Sequence, residues 1–188
     1  MKIQHTDSLF LVWRVAQIEA KKLKVATLEP THLALALAKI VDVDFTELVP
    51  KGAKNRDATL EELLREARRL RTIFRDAGLN PQEFRRLLRR NAPAARFAQE
   101  ETETLHRSAA AKKVFSEAEQ FAELSGQQQV YPVHLLLAVL IASDEVRDGV
   151  LLNLGVKKKR LVEIAKREIF STRPTGFSLG GDSKRGRN

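Results

Sequence analysis

The chain predicts an all-α protein, a pseudo-two-fold tandem repeat of a four-helix unit with about eight helices in one compact bundle. Three observations carry that. Leu28-Glu29-Pro30-Thr31-His32-Leu33-Ala34-Leu35-Ala36-Leu37 returns 102 residues later as Val130-Tyr131-Pro132-Val133-His134-Leu135-Leu136-Leu137-Ala138-Val139. In both copies proline stands at a helix start, where its missing N–H costs nothing, and the apolar run behind it suits only a buried helix. The same offset places Val12, Trp13, Ala16 and Ala20 on Val114, Phe115, Ala118 and Ala122, with the spacing of one helical face. Downstream, Ala77-Gly78-Leu79 with Phe84 and Leu87 returns as Leu154-Gly155-Val156 with Leu161 and Ile164, now at an offset of 77. The first copy therefore carries 25 extra residues between Lys39 and Arg71. One copy alone would bury its apolar faces poorly, so the halves are expected to pack on each other.

The expected organisation is a double-repeat domain over 1–171 and a disordered basic tail over 172–188. Repeat one covers about 6–91, a linker about 92–104, and repeat two about 105–170. In order, Thr6 or Asp7 caps a first helix whose apolar face is Leu9, Val12, Trp13, Ala16, Ala20 and Leu23. Lys21, Lys22 and Lys24 crowd its last turn, where cations complement the helix dipole. The second helix runs from Pro30 to about Ile40. Val41 to Lys54 lacks a clean period and reads as a loop with room for one helical turn. Thr59-x-x-Glu62 has the form of a capping box and opens a third helix through about Asp76, with Leu60, Leu63, Leu64, Ala67, Leu70 and Phe74 inward. Gly78 stops it, and Asn80-Pro81-Gln82-Glu83 starts a fourth with Phe84, Leu87 and Leu88 inward. The second copy runs over about 105–124, 132–142, 146–153 and 157–169, with stops at Gly126 and Gly155.

A composition that is 43% hydrophobic, 30% charged and 6% aromatic is that of a soluble, folded, helical chain. There is no cysteine, which excludes disulfides, thiol nucleophiles and cysteine metal sites. The apolar stretch Leu9–Trp13 meets Arg14 at once and is no signal peptide. The longest apolar run, Leu135 to Ala142, is far short of the roughly 20 residues a membrane span needs. A cytoplasmic protein is expected, with no membrane partner.

No catalytic constellation is visible, so the chain reads as non-enzymatic, with no cofactor and no metal. His5, His32, His106 and His134 are never three or four apart. His32 and His134 hold equivalent places, and each reads as a ring packed at a helix start with one nitrogen bonded to backbone. Gly176-Phe177-Ser178-Leu179-Gly180-Gly181 imitates a phosphate loop, but Asp182-Ser183 stands where lysine is needed and no strand precedes it. Glu61/Glu62 and Glu100/Glu101 are surface carboxylate pairs.

The net charge of +9 is uneven. Residues 56–91 hold ten Arg against six acids, and residues 155–188 hold ten Lys or Arg against three. Arg65, Arg68, Arg69 and Arg75 alternate with Glu61, Glu62 and Glu66 in the manner of helix-surface pairing. Arg85, Arg86, Arg89 and Arg90 have fewer acids nearby, and Lys157, Lys158, Lys159 and Arg160 sit on the equivalent helix of the second copy. These eight are the candidate contacts of an alternative function, a basic nucleic-acid-associated helical protein. Lys184, Arg185 and Arg187 in the tail add to it.

The tandem unit of long helix, Pro-x-His-Leu helix, and Leu-Gly-Val followed by a charged helix resembles the Clp N-terminal (Clp repeat) domain over about residues 6–170. Leu28 to Leu33 is closest to the ClpB-like variety, and Val150 to Val156 matches the third helix and stop of the second repeat. The resemblance implies an all-α bundle of eight helices, without activity of its own, that receives unfolded substrates or docks adaptors for an ATP-dependent Clp chaperone or protease. Accessory docking on Clp ATPase or protease subunits is a variant of the same role. No AAA+ module follows in this sequence. The ClpC-like variety carries Glu before the repeated His, tied to phosphoarginine recognition; Thr31 and Val133 stand there instead. The extra residues of copy one are expected to lengthen its third helix. Groove residues stay unassigned.

Overall fold

Two apolar Pro-x-His-Leu helices cross at the centre, and everything else wraps them. The structure, a computed structural model, describes residues 3–52, 54–92 and 105–171. The first repeat holds β1 (Gln4–His5), α1 (Asp7–Lys22), β2 (Thr27–Leu28), α2 (Pro30–Ile40), α3 (Phe45–Leu48), α4 (Arg56–Ala77) and α5 (Pro81–Asn91). The second holds β3 (His106–Arg107), α6 (Ala109–Leu124), β4 (Gln129–Val130), α7 (Pro132–Ile141), α8 (Glu145–Asn153) and α9 (Lys158–Phe170). The linker from 93 to 104, the tail from 172 and the phosphate-loop lookalike within it lie outside the described residues.

All but Lys39 in α2, and all but Ile141 in α7, are buried. A helix apolar all round must lie in the interior, and these two pack on each other across the pseudo-two-fold axis. α1 covers α2 as α6 covers α7. The outer helices then cross over: α5 packs on α2 and on α8 of the other repeat, while α9 packs on α7 and on α4 of the other repeat. Each half thus supplies the other's wall. That is the physical reason the unit comes in pairs.

Two kinds of helix terminus repeat between the copies. Thr6 and Ser108 cap α1 and α6, accepting from the N–H of Leu9 (3.2 Å) and Ala111 (3.0 Å). Gly78 and Gly155 close α4 and α8 in the left-handed region, and the N–H groups of Leu79 and Val156 reach back to the carbonyls of Phe74 (2.8 Å) and Leu151 (2.9 Å).

Four features were not read from the sequence or were read differently. The four two-residue strands form parallel pairs between repeats, β1 with β4 and β2 with β3. Both registers obey the same 102-residue equivalence. Segments 105–108 therefore lead into the sixth helix rather than begin it. The loop after α2 does contain its helical turn, α3, a ninth helix among the described residues. Thr59-x-x-Glu62 is not a cap: α4 starts at Arg56 after Asn55. Glu62 instead accepts from the Ser8 hydroxyl (2.7 Å) and N–H (3.0 Å), placing a carboxylate at the N-terminus of α1. The longer third helix, 22 residues in α4 against 9 in α8, makes that reach possible. Leu64 is 38% exposed rather than inward, whereas Ile73 is buried.

The chain leaves α1 and α6 through the same left-handed turn, but Lys24 (φ 54°) stands where the second repeat has Gly126 (φ 75°). A side chain in that region costs about 1–2 kcal/mol, partly offset by glycine's greater unfolded-state entropy. Gly126→Ala should therefore destabilise by about 1 kcal/mol, and Lys24→Gly should leave stability unchanged or raise it by up to about 0.5 kcal/mol. Urea midpoints of the two variants check the asymmetry.

Candidate functional site

The axis that relates the repeats also brings equivalent residues together at the surface. Trp13 of α1 and Phe115 of α6 sit at the edge of the same helical face in their repeats. Their rings meet edge-to-face, 5.6 Å apart at 71°, a geometry worth about 0.5–1.5 kcal/mol beyond burial. His5 and Arg107, the corresponding residues of β1 and β3, flank the pair. The Arg107 guanidinium lies 5.4 Å from the Trp13 ring centre and 5.3 Å from that of Phe115. His5 lies 6.3 Å from Phe115 and 6.0 Å from Phe10, and its Nε2 is 3.1 Å from Glu119 Oε1. Phe115 is buried, Trp13 is half-buried, and Phe10 is 54% exposed. The result is an aromatic seam with a cation at one end and a carboxylate at the other. Among the described residues no group of three His, Cys, Asp or Glu could hold a metal.

The repeated histidines do structural work. The N–H of Glu29 donates to His32 Nδ1 (2.9 Å) and that of Tyr131 to His134 Nδ1 (3.0 Å), so each ring closes the N-terminus of its helix. Burial holds the His134 imidazole down to about 4, and the nearby Arg69 charge pushes the same way. Burial lowers His32 as well, against the Glu29, Asp144 and Glu19 carboxylates. Thr31, one residue earlier, donates to Asp144 Oδ2 across the repeats (2.6 Å), and Val133 is fully buried.

The eight basic candidates divide. Arg89 grips the buried Glu19 with two bonds (2.8 and 2.9 Å). Arg85 donates to the Ala38 carbonyl (2.6 Å) and Asp42 (2.7 Å), Lys158 to Asp148 (2.7 Å), and Arg160 to the Asp76 carbonyl (2.8 Å). Arg86 makes a loose exposed pair with Glu83 (3.3 Å). Arg90, Lys157 and Lys159 are exposed. The two groups sit on helices with different neighbours, α5 against α2 and α8, α9 against α4 and α7.

Sequence reasoning missed three buried ions. Glu19 is fully buried; burial opposes its ionisation, but Arg89 and Lys39 win and hold it below the usual carboxylate range. Glu66 is not a surface pair member: it is 0% exposed, and burial raises it despite Arg69 and Arg65. Arg69 continues from Glu66 (3.1 Å) to Glu168 of the other repeat (3.0 Å). Arg147, also fully buried, donates to the carbonyls of Val139 and of Ala142 (2.6 Å) and to Asp148 (2.9 Å). The signal for the carboxylates was spacing: Glu19 follows Val12 by seven and Ala16 by three, and Glu66 falls between Leu63 and Leu70.

The sequence model of the Clp repeat (R) N-terminal domain family matches residues 58–157, just over half of the chain. No curated protein gives a match. Among solved structures, the Hsp104 N-terminal domain from Candida albicans is similar at 17% identity and a TM-score of 0.62, covering 90% of this chain and 94% of that one. A structure described as part of a malarial protein secretion system is similar at 18% identity and 0.63, covering 90% and 97%. The N-terminal domain of the caseinolytic protease associated chaperone ClpD from Arabidopsis thaliana is similar at 20% and 0.50, covering 86% and 92%. At these identities the likeness is one of fold.

Proposed function

The chain belongs to the Clp repeat (R) N-terminal domain family, and from that membership we propose that it is a non-catalytic protein-binding module of the cytoplasm. It receives unfolded substrate segments or an adaptor, or docks as an accessory subunit, for an ATP-dependent Clp chaperone or protease. The observation that carries this reading is the aromatic seam. Half-buried Trp13 and Arg107 are of the residue types that dominate protein-binding energy, and exposed Phe10 is of a type enriched at interfaces. Among the described residues no helix is long and apolar enough to cross a membrane.

A nucleic-acid partner for Arg85, Arg86, Arg89, Arg90, Lys157, Lys158, Lys159 and Arg160 is the weaker reading. Four of these eight already hold buried or helix-terminal groups of the fold. The aromatic cluster on which unpaired bases would stack belongs to α1 and α6, not to α5 or α9.

Trp13 is the only tryptophan, so the seam reports on itself. Titrating a permanently unfolded protein (reduced, carboxymethylated α-lactalbumin) should shift its emission to the blue. Phe10→Ser should weaken binding by roughly fivefold to thirtyfold, the effect of losing one anchor of about 1–2 kcal/mol, and leave the unfolding midpoint nearly unchanged. Unaltered affinity in Phe10→Ser sinks the seam as the site. Arg90→Gln/Lys157→Gln/Lys159→Gln, which spares the paired cations, should not alter it; a loss there would favour the basic helices.

A further inference from the structure

We propose that Phe177 and Leu179 of this chain cover an apolar patch of the second repeat, formed by Phe121, Leu124, Ile141 and Val162. The inference rests neither on the aromatic seam nor on the function proposed above. It starts from the equivalence of the repeats. At an offset of 102, Glu19, Lys22 and Lys39 correspond to Phe121, Leu124 and Ile141. At an offset of 77, Arg85 and Arg89 correspond to Val162 and Lys166. In the first repeat these five positions converge where α1, α2 and α5 meet. Arg89 and Lys39 reach Glu19 at 2.8 and 3.6 Å, and the Lys22 charge acts on the same carboxylate. Arg85, one turn before Arg89, holds the Ala38 carbonyl and Asp42.

The helices that carry the second set have closely matching bounds and the same neighbours, α6 and α9 both packing on α7 as α1 and α5 pack on α2. The second set therefore converges as the first does. Its chemistry is the reverse. Four of the five positions exchange a charged side chain for a large apolar one. Phe121 and Val162 are half-buried against the core, whereas Leu124 is 63% and Ile141 43% exposed. Lys166 is exposed at the edge, where its aliphatic stem extends the apolar area. The fold does not require this exchange, since ions fill the same place in the first repeat.

The occupant follows from where the chain goes next. α9 ends at Phe170, and residues 172–188 continue from that end. Lys166 and Val162 lie only about 6 and 12 Å back along the helix. Phe177 stands seven residues beyond Phe170, a reach of roughly 23 Å in extended chain. Between them, Arg173-Pro174-Thr175-Gly176 has proline second and glycine fourth, the order of a type I turn, which returns a chain along α9. Phe177 and Leu179 are the only large apolar residues after Phe170, and two residues apart they share one face of an extended segment. So short a tether gives an effective concentration on the order of 1 mM, enough to populate a weak contact. A second copy of the chain would bring the same net charge of +9, which opposes association.

The chain has no cysteine, so Ser178→Cys accepts a single nitroxide spin label between the two anchors. In the full chain, the label should lower the methyl signals of Leu124 and Ile141 at least twofold relative to the same label reduced. Ile18 and Leu48, exposed apolar residues of the first repeat, should stay almost unchanged. Phe177→Ser/Leu179→Ser in the labelled chain should restore the lost signals. Added salt, which screens charge pairs, should not. Mixing spin-labelled chain with isotope-labelled chain that lacks the nitroxide tests for a second copy as the occupant, and broadening in that mixture overturns the proposal. It is overturned as well if Leu124 and Ile141 stay sharp, if Ile18 and Leu48 broaden as much, or if the double serine variant broadens them undiminished.

Discussion

Replacing Arg147 with methionine should cost about 2–6 kcal/mol, the cost of leaving two buried carbonyls unpaired at about 1–3 kcal/mol each. The side chain is 0% exposed and sits beyond the C-terminus of α7, where the last carbonyls of a helix have no intrahelical donors. It donates to the Val139 and Ala142 carbonyls, and Asp148 balances its charge while also holding Lys158. Methionine fills most of the volume but leaves both carbonyls unpaired. The first repeat solves the same problem with two arginines: Arg71 donates to the Val41 carbonyl and Arg85 to that of Ala38. Arg85→Met should therefore cost less, about 1–2 kcal/mol, because Arg71 stays and water reaches the site. Urea unfolding of the two variants measures the difference. Equal costs would mean that Arg147 serves packing rather than the carbonyls.

That contrast bears on what could be read in the chain. The helices that form the core were legible because two copies had to agree: Pro30 and Pro132, Gly78 and Gly155, and Leu33 and Leu135 state the same rule twice. The strands were not, because a two-residue strand such as Gln4–His5 is too short to show a period. The helix-terminal arginines escaped for another reason. Arg147 and Arg85 do equivalent work from non-equivalent positions, one on α8 and one on α5, so the repeat hides rather than reveals them. Trp13 and Phe115 were matched in sequence, yet their contact was not inferred. It follows from symmetry: residues related by a two-fold axis and lying near it must meet.

His134 is a titratable group in the core of the second repeat, and acid should expose it. His134 accepts from the Tyr131 N–H at Nδ1, so its proton is on Nε2, 3.5 Å from the Ser125 hydroxyl. That hydroxyl itself donates to the Ala122 carbonyl (2.9 Å) and can accept. A second ring proton would displace the helix-start bond and put a charge beside Arg69. Above pH 6.5 the ring is neutral in folded and unfolded chains alike, and its contribution is complete. Between 6.5 and about 4 the unfolded chain takes up a proton that the folded chain refuses. Stability then falls by up to about 1.4 kcal/mol per pH unit, about 3 kcal/mol over the window. His32, lowered mainly by burial, acts with the same sign. Glu66, raised by burial, acts oppositely by favouring the protonated folded form, while Glu19 loses its contribution only in the more acid carboxylate range. Urea unfolding at pH 7.5, 6.0 and 5.0 should show the decline. In His134→Asn, whose Oδ1 can accept from the Tyr131 N–H without titrating, most of the decline should vanish. An unchanged slope in that variant would assign the acid sensitivity to other groups and leave His134 a packing residue.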